Sequence, residues 1–160
     1  MARPRRIDGC SYVGLNRYFL TFCVSDRRQA FVDGDVVHVA LAQFRKTAAV
    51  EKFSLSAYCF MPDHVHLLVE ATDQRSDLRR FAKLAKQRAG AAYALMCRGR
   101  LWQEGYYERV LRDDDASRAI ARYIIANPVR GGLVTSPIEY PYIGSDVWTL
   151  QELLEDVMLY

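Results

Sequence analysis

Two kinds of hydrophobic pattern alternate along this chain. Runs rich in aromatic and β-branched residues predict β-strands, and stretches in which apolar residues recur every three or four positions predict amphipathic helices. In chain order the two patterns predict a strand over 17–24, a helix over about 33–51, strands over 53–61 and 63–71, a helix over about 75–97, a strand over 101–111, a helix capped by 113–115 and ending near 127, and a last helix over roughly 146–158.

The order of these elements predicts the fold class. A strand–helix–strand–strand–helix–strand sequence followed by extra helices is the ferredoxin-like split βαβ pattern. We therefore predict an α+β protein in which this antiparallel sheet carries an added helix and a C-terminal helical tail. The 160 residues are most simply one domain, with a basic arm over 1–16, a core over 17–135 and an acidic C-terminal segment over 136–160.

The distribution of charge is more informative than the net charge of +3. Eight basic residues against one acid lie between Gln74 and Arg100, whereas five acids and no Lys or Arg lie between Glu139 and Tyr160. A basic middle and an acidic end predict a surface that faces a polyanion and an element that could cover and restrain it. The alternative is two ordinary solvated helix faces, with the acidic segment simply packed on the sheet.

Cysteine spacing and hydropathy indicate the cellular setting. Cys10, Cys23, Cys59 and Cys97 have no C-x-x-C spacing, so we expect buried free thiols rather than a zinc cluster or disulfides. The arginine-rich amino terminus has no apolar run behind it, and no apolar stretch approaches the ~20 residues that span a bilayer. We expect a cytoplasmic protein without a membrane partner.

Two histidines lie two positions apart in one predicted strand. Side chains at positions i and i+2 of a strand point to the same face, so His64 and His66 would project together. Two neutral imidazoles side by side form half of a divalent-metal site. The alternative is a pair of ordinary surface or core histidines.

A tyrosine and an asparagine share a face of the helix that ends near residue 127. Tyr123 and Asn127 are four residues apart, and the Asn127 amide oxygen is a possible hard ligand. The alternative for Tyr123 is a core or rim position, as for most tyrosines on amphipathic helices.

Three segments together resemble a known family. They are M-P-D-H-V-H-L-L-V at 61–69, L-W-Q-E-G-Y-Y-E-R-V-L-R-D at 101–113 and Y-I-I-A-N-P-V-R-G-G-L-V at 123–134. In this order they resemble the single-tyrosine HUH transposases, and within them the REP-associated tyrosine transposases, over about residues 10 to 135. Asp63 departs from the pattern, because many relatives have Asn there; we expect no loss of function, since that side chain is not thought to be a ligand.

The resemblance implies an enzyme that nicks and rejoins single-stranded DNA at imperfect, REP-like hairpins. His64 and His66 would hold Mg²⁺ or Mn²⁺, and Asn127 would match the family's third polar ligand. Tyr123 would be the nucleophile and form a covalent 5′-phosphotyrosine intermediate. Relatives act either as homodimers or as monomers, and the sequence leaves both open.

Several further residues are candidates for contacts with DNA. Arg79, Lys83 and Lys86 on the long basic helix, and Arg5 in the arm, could contact phosphates. Trp102 and Tyr107 could stack on unpaired bases, although strand alternation allows only one of Tyr106 and Tyr107 to face the DNA. The alternative for each aromatic residue is an ordinary place in the core.

Two other functions remain open from the sequence. One is a non-catalytic protein that binds hairpin DNA, which would form no covalent adduct. The other is a metal-dependent nuclease that uses water, whose cleavage would survive the change Tyr123→Phe.

Overall fold

The fold is built on a five-stranded antiparallel sheet. The computed structural model describes residues 12–112 and 115–155. Its strands are β1 (Arg17–Cys23), β2 (Phe53–Met61), β3 (His64–Ala71), β4 (Tyr107–Leu111) and β5 (Ile143–Gly144), in the order β4-β1-β3-β2-β5. Every neighbouring pair is antiparallel. The first four strands have the order of a split βαβ unit, so the predicted ferredoxin-like α+β fold is confirmed.

Within the described residues five α-helices accompany the sheet, and the two long ones begin at aspartate caps. They are α1 (Gly34–Glu51), α2 (Leu78–Met96), α3 (Ser117–Ile125), α4 (Asn127–Arg130) and α5 (Leu150–Glu155). Asp33 accepts a hydrogen bond from the backbone N–H of Asp35, and Asp77 accepts from the backbone N–H groups of Arg79 and Arg80. The cap at Asp77 sets the start of α2 later than the predicted position near 75. No helix in the described ranges is both long and apolar enough to cross a membrane.

Side chains of β3 alternate between two hydrophobic layers. The odd-numbered residues from Val65 to Val69 are fully buried in the larger core, under α1 and α2. Leu68 belongs to a smaller cluster on the other side, formed with residues of α3. The same alternation places His64 and His66 on the α3 side of the sheet.

Two predicted elements differ from those in the structure. The segment predicted as one strand over 101–111 enters the sheet only at Tyr107; before it, Trp102 makes an isolated bridge to Val24, and Gly105 turns the chain with a left-handed φ of 78°. The helix predicted to end near 127 is divided, because α3 ends at Ile125 and α4 follows after one residue.

The predicted acidic cap of α3 is wrong where the structure describes it. Helix α3 begins at Ser117 with no side-chain cap. The Asp115 carboxylate instead accepts hydrogen bonds from the backbone N–H of Arg112 and from the side chain of Arg109. The other two predicted cap residues, 113 and 114, lie outside the described residues.

The described part of the acidic C-terminal segment packs at the β2 edge of the sheet and against α3. Strand β5 pairs with β2, and Asp146 forms an ion pair with Arg45 of α1 at 2.8 Å. In α5, which begins four residues later than predicted, Leu153 is fully buried, and Arg118 of α3 donates to the backbone carbonyl of Glu152. These contacts join the segment to α1 at the sheet edge and to α3 on the other face, not to the basic surface of α2; residues 156–160 are outside the described range.

Three of the cysteines lie in the described residues. Cys23, Cys59 and Cys97 are free thiols, and the first two are buried, as the sequence predicted. Cys10 falls outside the described range.

Candidate active site

The two histidine side chains of β3 converge through one nitrogen each. The Nε2 atoms of His64 and His66 lie 3.2 Å apart, and their ring centroids are 4.7 Å apart. Two ligand atoms at right angles around an ion with bonds of ~2.1 Å would be about 3 Å apart. The pair therefore has the spacing of neighbouring ligands on one metal ion.

The other nitrogen of each histidine has a hydrogen-bond partner. His64 Nδ1 lies 2.7 Å from Oδ1 of Asp63, and His66 Nδ1 lies 2.9 Å from Oγ1 of Thr21. An ionised carboxylate can only accept, so His64 Nδ1 is the donor of this hydrogen bond, and its Nε2 faces His66. Partners of this kind fix the ring orientation of metal-binding histidines.

Arg27, in the turn between β1 and α1, holds the Asp63 carboxylate that contacts His64. Arg27 donates from Nε to Oδ2 of Asp63 at 2.9 Å. Both Asp26 and Arg27 adopt a left-handed backbone, with φ of 56° and 53°, which is uncommon for residues with a side chain. The turn thereby presents the guanidinium group to the carboxylate that orients His64.

Electrostatics keep these groups in the states that metal binding requires. Burial lowers the pKa of His66 to about 4, with further contributions from the charges of His64 and Arg130, so this imidazole is neutral near pH 7. Burial opposes ionisation of Asp63, but hydrogen bonds from His64 and Arg27 outweigh it, so the pKa of Asp63 is below its usual value.

Tyr123 lies on the histidine side of the sheet. Ile124 and Ile125 of α3 are buried against the smaller cluster, which leaves Tyr123 53% exposed. Its ring centroid is 6.2 Å from that of Phe19 in β1, and the Phe19 ring is 5.3 Å from that of His66. One aromatic ring thus separates the candidate nucleophile from the histidine pair.

Asn127 closes the end of α3. Its Nδ2 donates to the backbone carbonyls of Tyr123 and Ile124, each at 3.1 Å. Pro128 has no N–H to offer the Ile124 carbonyl four residues earlier, so the side-chain amide fills that position. No hydrogen bond in the described residues joins Asn127 to either histidine.

The predicted DNA-contacting residues lie in different parts of the molecule. Arg79 and Lys83 are exposed on α2, across the sheet from the histidines. Tyr107 is 46% exposed and pairs with Thr21, which places it on the histidine face with Thr21 between it and His66. Arg5 lies outside the described residues.

Two of the DNA-contact predictions are corrected by the structure. Trp102 is 6% exposed, packs edge-on against Phe22 and donates its indole N–H to the Lys86 carbonyl, so neither ring face is open to a base. The Lys86 amine donates to the backbone carbonyls of Gln103 and Gly105, which holds the loop before β4. Both residues serve the packing of that loop, the alternative noted above for Trp102.

Three residues near the histidines were not predicted from the sequence. They are Asp63, which was expected to have no role, and Thr21 and Arg27. The alternation of β1 could have placed Thr21 on one face of the sheet, but its pairing with His66 depends on strand register, which no local pattern specifies.

Comparison with known proteins gives the family. The family model described as "Transposase IS200 like" matches residues 13–127. The chain belongs to the IS200-like transposase family. Members of this family are enzymes that cleave and rejoin DNA, and the resemblance inferred from the three sequence segments is confirmed.

Individual relatives agree with this assignment. The ISDra2 transposase TnpA of Deinococcus radiodurans is 34% identical over 125 residues, which cover 72% of this chain and 86% of that protein. A Haemophilus influenzae protein with the provisional name REP-associated tyrosine transposase is 25% identical over 136 residues, covering 78% of this chain and 77% of that protein.

A solved structure shares the fold of this transposase. It is a REP-associated tyrosine transposase bound to a REP hairpin, with a TM-score of 0.73 and 21% identity. The match covers 89% of this chain and 82% of that one. At this identity the likeness establishes the fold.

Proposed function

We propose that this transposase nicks and rejoins single-stranded DNA at REP-like hairpins through a covalent 5′-phosphotyrosine intermediate, in a metal-dependent reaction. The observation that carries the proposal is the placement of Tyr123 on the same sheet face as two histidines whose Nε2 atoms are 3.2 Å apart. A nucleophile beside a ready-made pair of metal ligands fits phosphoryl transfer to a side chain.

The chemistry assigned to Tyr123 is a transesterification. Its Oη would attack the phosphorus, the bond to the 3′ oxygen would break, and the phenol would lose a proton while the leaving oxygen gains one. The phosphotyrosine keeps the energy of the phosphodiester bond, so the reverse attack by a 3′-hydroxyl rejoins the strand without ATP.

His64 and His66 would hold the divalent ion, which when bound would supply Lewis-acid chemistry at the phosphate. Both imidazoles have their Nδ1 atoms engaged, which supports metal binding through Nε2. Both Mg²⁺ and Mn²⁺ also bind oxygen ligands, so phosphate oxygens or water would complete the coordination of either ion. Asn127 remains a candidate third ligand through Oδ1, because its bonds to the end of α3 use Nδ2.

The surface charge supports an extended DNA contact. Arg79 and Lys83 present positive charge on the far side of the sheet, suited to duplex phosphates of a hairpin, and Tyr107 offers an exposed ring on the histidine face for an unpaired base. Arg5 keeps its predicted role as a phosphate contact. A REP hairpin is the ligand in the solved structure with the same fold, and this supports the choice of substrate.

A denaturing gel tests the proposed reaction. End-labelled single-stranded hairpins from REP-like repeats are incubated with wild type and with Tyr123→Phe, in Mn²⁺, in Mg²⁺ and in EDTA. We expect a protein–DNA adduct that requires the metal and is lost in Tyr123→Phe. Cleavage without an adduct in both proteins would instead indicate a nuclease that uses water, and hairpin binding without cleavage would indicate a non-catalytic binding protein.

A further inference from the structure

Arg130 is in direct contact with Tyr123. Its guanidinium carbon lies 3.9 Å from the centroid of the Tyr123 ring, and its Nη2 donates to the Tyr123 backbone carbonyl at 2.5 Å. The two residues are seven positions apart, on α4 and α3. Arg130 therefore contacts both the ring and the main chain of the candidate nucleophile.

The break between α3 and α4 makes this contact possible. A continuous helix would carry residue 130 about two turns beyond Tyr123 along the same axis. Here α3 ends at Ile125, and α4 is a separate short helix of four residues. Gly131 follows α4 directly, and an added Cβ there would lie 2.9 Å from Met61. The end of α4 therefore packs closely on the end of β2, where Met61 pairs with His64 of β3.

The contact restrains a side chain that would otherwise be loosely held. Tyr123 is 53% exposed, and the nearest ring is Phe19, with 6.2 Å between centroids. A guanidinium lying over a phenol ring is attracted by the negative face of the ring, and its hydrogen bond to the carbonyl of the same residue fixes its place. Such a restraint limits rotation of the phenol and keeps Oη in a narrower range of positions.

The charge of Arg130 also lies where an anionic substrate must come. The Arg130 guanidinium lies over a face of the Tyr123 ring, and the Phe19 ring packs against the same tyrosine. Phe19 in turn contacts His66. A phosphate between the phenol and the histidines would therefore lie beside the guanidinium. One hydrogen bond uses one of five N–H groups, which leaves donors for a phosphate oxygen.

We infer that Arg130 is a positioning residue for the strand-transfer reaction: it clamps the Tyr123 side chain in place for attack. This rests on the proposed function of Tyr123 as nucleophile. The clamp needs both the cation over the ring and a donor that reaches the carbonyl, so the neutral and shorter side chain of glutamine does not replace it.

Single-turnover kinetics test the clamp. At saturating hairpin and Mn²⁺, we expect Arg130→Gln to slow adduct formation by about tenfold or more, because small misplacements of reacting groups cost up to ~100-fold. The hairpin concentration for half-maximal rate should change less than the rate, because the phosphate near Arg130 is one of several phosphates that the protein contacts. Arg130→Lys, which keeps a cation for the ring, should recover part of the rate. Lys46→Ala removes one positive charge from an exposed site on α1 and should behave as wild type.

A second measurement is independent of activity. In protein labelled with 3-fluorotyrosine, Tyr123→Phe identifies the Tyr123 fluorine resonance. Arg130→Gln should move or broaden that resonance, whereas Lys46→Ala should leave it unchanged. An unmoved resonance in Arg130→Gln would overturn the clamp.

The two measurements separate failure of the clamp from failure of the proposed function. Adduct formation by Arg130→Gln at the wild-type rate, or faster, overturns the inference while the Tyr123 mechanism stands. If wild type itself forms no adduct, the proposed function fails, and the fluorine resonance still decides whether Arg130 holds the tyrosine.

Discussion

Asp63 and His64 are neighbours in sequence whose side chains are hydrogen-bonded to each other, with Oδ1 of Asp63 2.7 Å from Nδ1 of His64. The other carboxylate oxygen accepts from Arg27. The carboxylate is thus held in place while it orients the imidazole, so a residue that was expected to have no part in the site contacts a candidate metal ligand.

Removing this carboxylate should weaken metal binding. We expect Asp63→Ala to raise the Mn²⁺ concentration for half-maximal adduct formation by about 10- to 100-fold, because His64 loses the partner that fixes its orientation. Asp63→Asn keeps an Oδ1 acceptor and should cost much less. Asp35→Ala, at the exposed start of α1, is the matched control. An unchanged metal requirement in Asp63→Ala would show that Asp63 does not support the ligand.

Glu70 is expected to hold the start of α3 on the sheet. Its carboxylate accepts hydrogen bonds from Ser56, which is fully buried, and from Ser117, the first residue of α3. Glu70→Ala leaves the buried Ser56 hydroxyl without this acceptor, so we expect a loss of about 1–3 kcal/mol in the free energy of unfolding, measured by urea denaturation. Glu70→Gln keeps one oxygen acceptor and should lose less. Equal stability of Glu70→Ala and wild type would refute the role.

Trp102 and Tyr107 should respond in opposite ways to truncation. Trp102→Ala empties a core position and should lower the free energy of unfolding by about 3–5 kcal/mol. Tyr107→Ala should leave stability nearly unchanged and weaken binding of hairpins with an unpaired flank by about 1–3 kcal/mol. Urea denaturation and fluorescence anisotropy measure the two effects. A fully paired hairpin serves as the control ligand, for which Tyr107→Ala should bind as wild type.

We predict that Tyr123 acts with the histidines of its own chain. Phe19 bridges Tyr123 and His66 within one molecule. A mixture of Tyr123→Phe with the double variant His64→Ala/His66→Ala should then form no adduct at any ratio. Restored activity in the mixture would show that the tyrosine serves the histidines of a second copy in a dimer.

The parts of the site that depend on local pattern were predictable from the sequence. Alternation along one strand placed His64 and His66 on a common face, and the structure agrees. The same rule separated the two adjacent tyrosines, of which Tyr106 is buried and Tyr107 exposed. These outcomes depend only on residues a few positions apart.

The parts that depend on distant contacts were not predictable. Lys86 was predicted to contact phosphate because it lies on a basic helix. Its amine instead donates to two backbone carbonyls of the loop before β4, which is distant in sequence. The hydrogen bond between Thr21 and His66 could not be predicted, because 45 positions separate the two residues in the sequence. The spacing of Asn127 did not reveal that its Nδ2 replaces the missing proline N–H at the end of α3, while its Oδ1 remains a candidate ligand.

Strand β5 has a consequence for self-association. An uncovered outer strand presents unpaired backbone groups on which a second molecule can extend the sheet. In this chain the outer side of β2 is paired with residues Ile143–Gly144. Beside this pairing, the Phe60 N–H donates to the Tyr142 carbonyl and the Asp146 N–H donates to the Leu55 carbonyl. The outer strands of the described sheet are therefore β4 and β5. Because β5 has only two residues and β4 has five, joining of sheets between copies is directed towards β4.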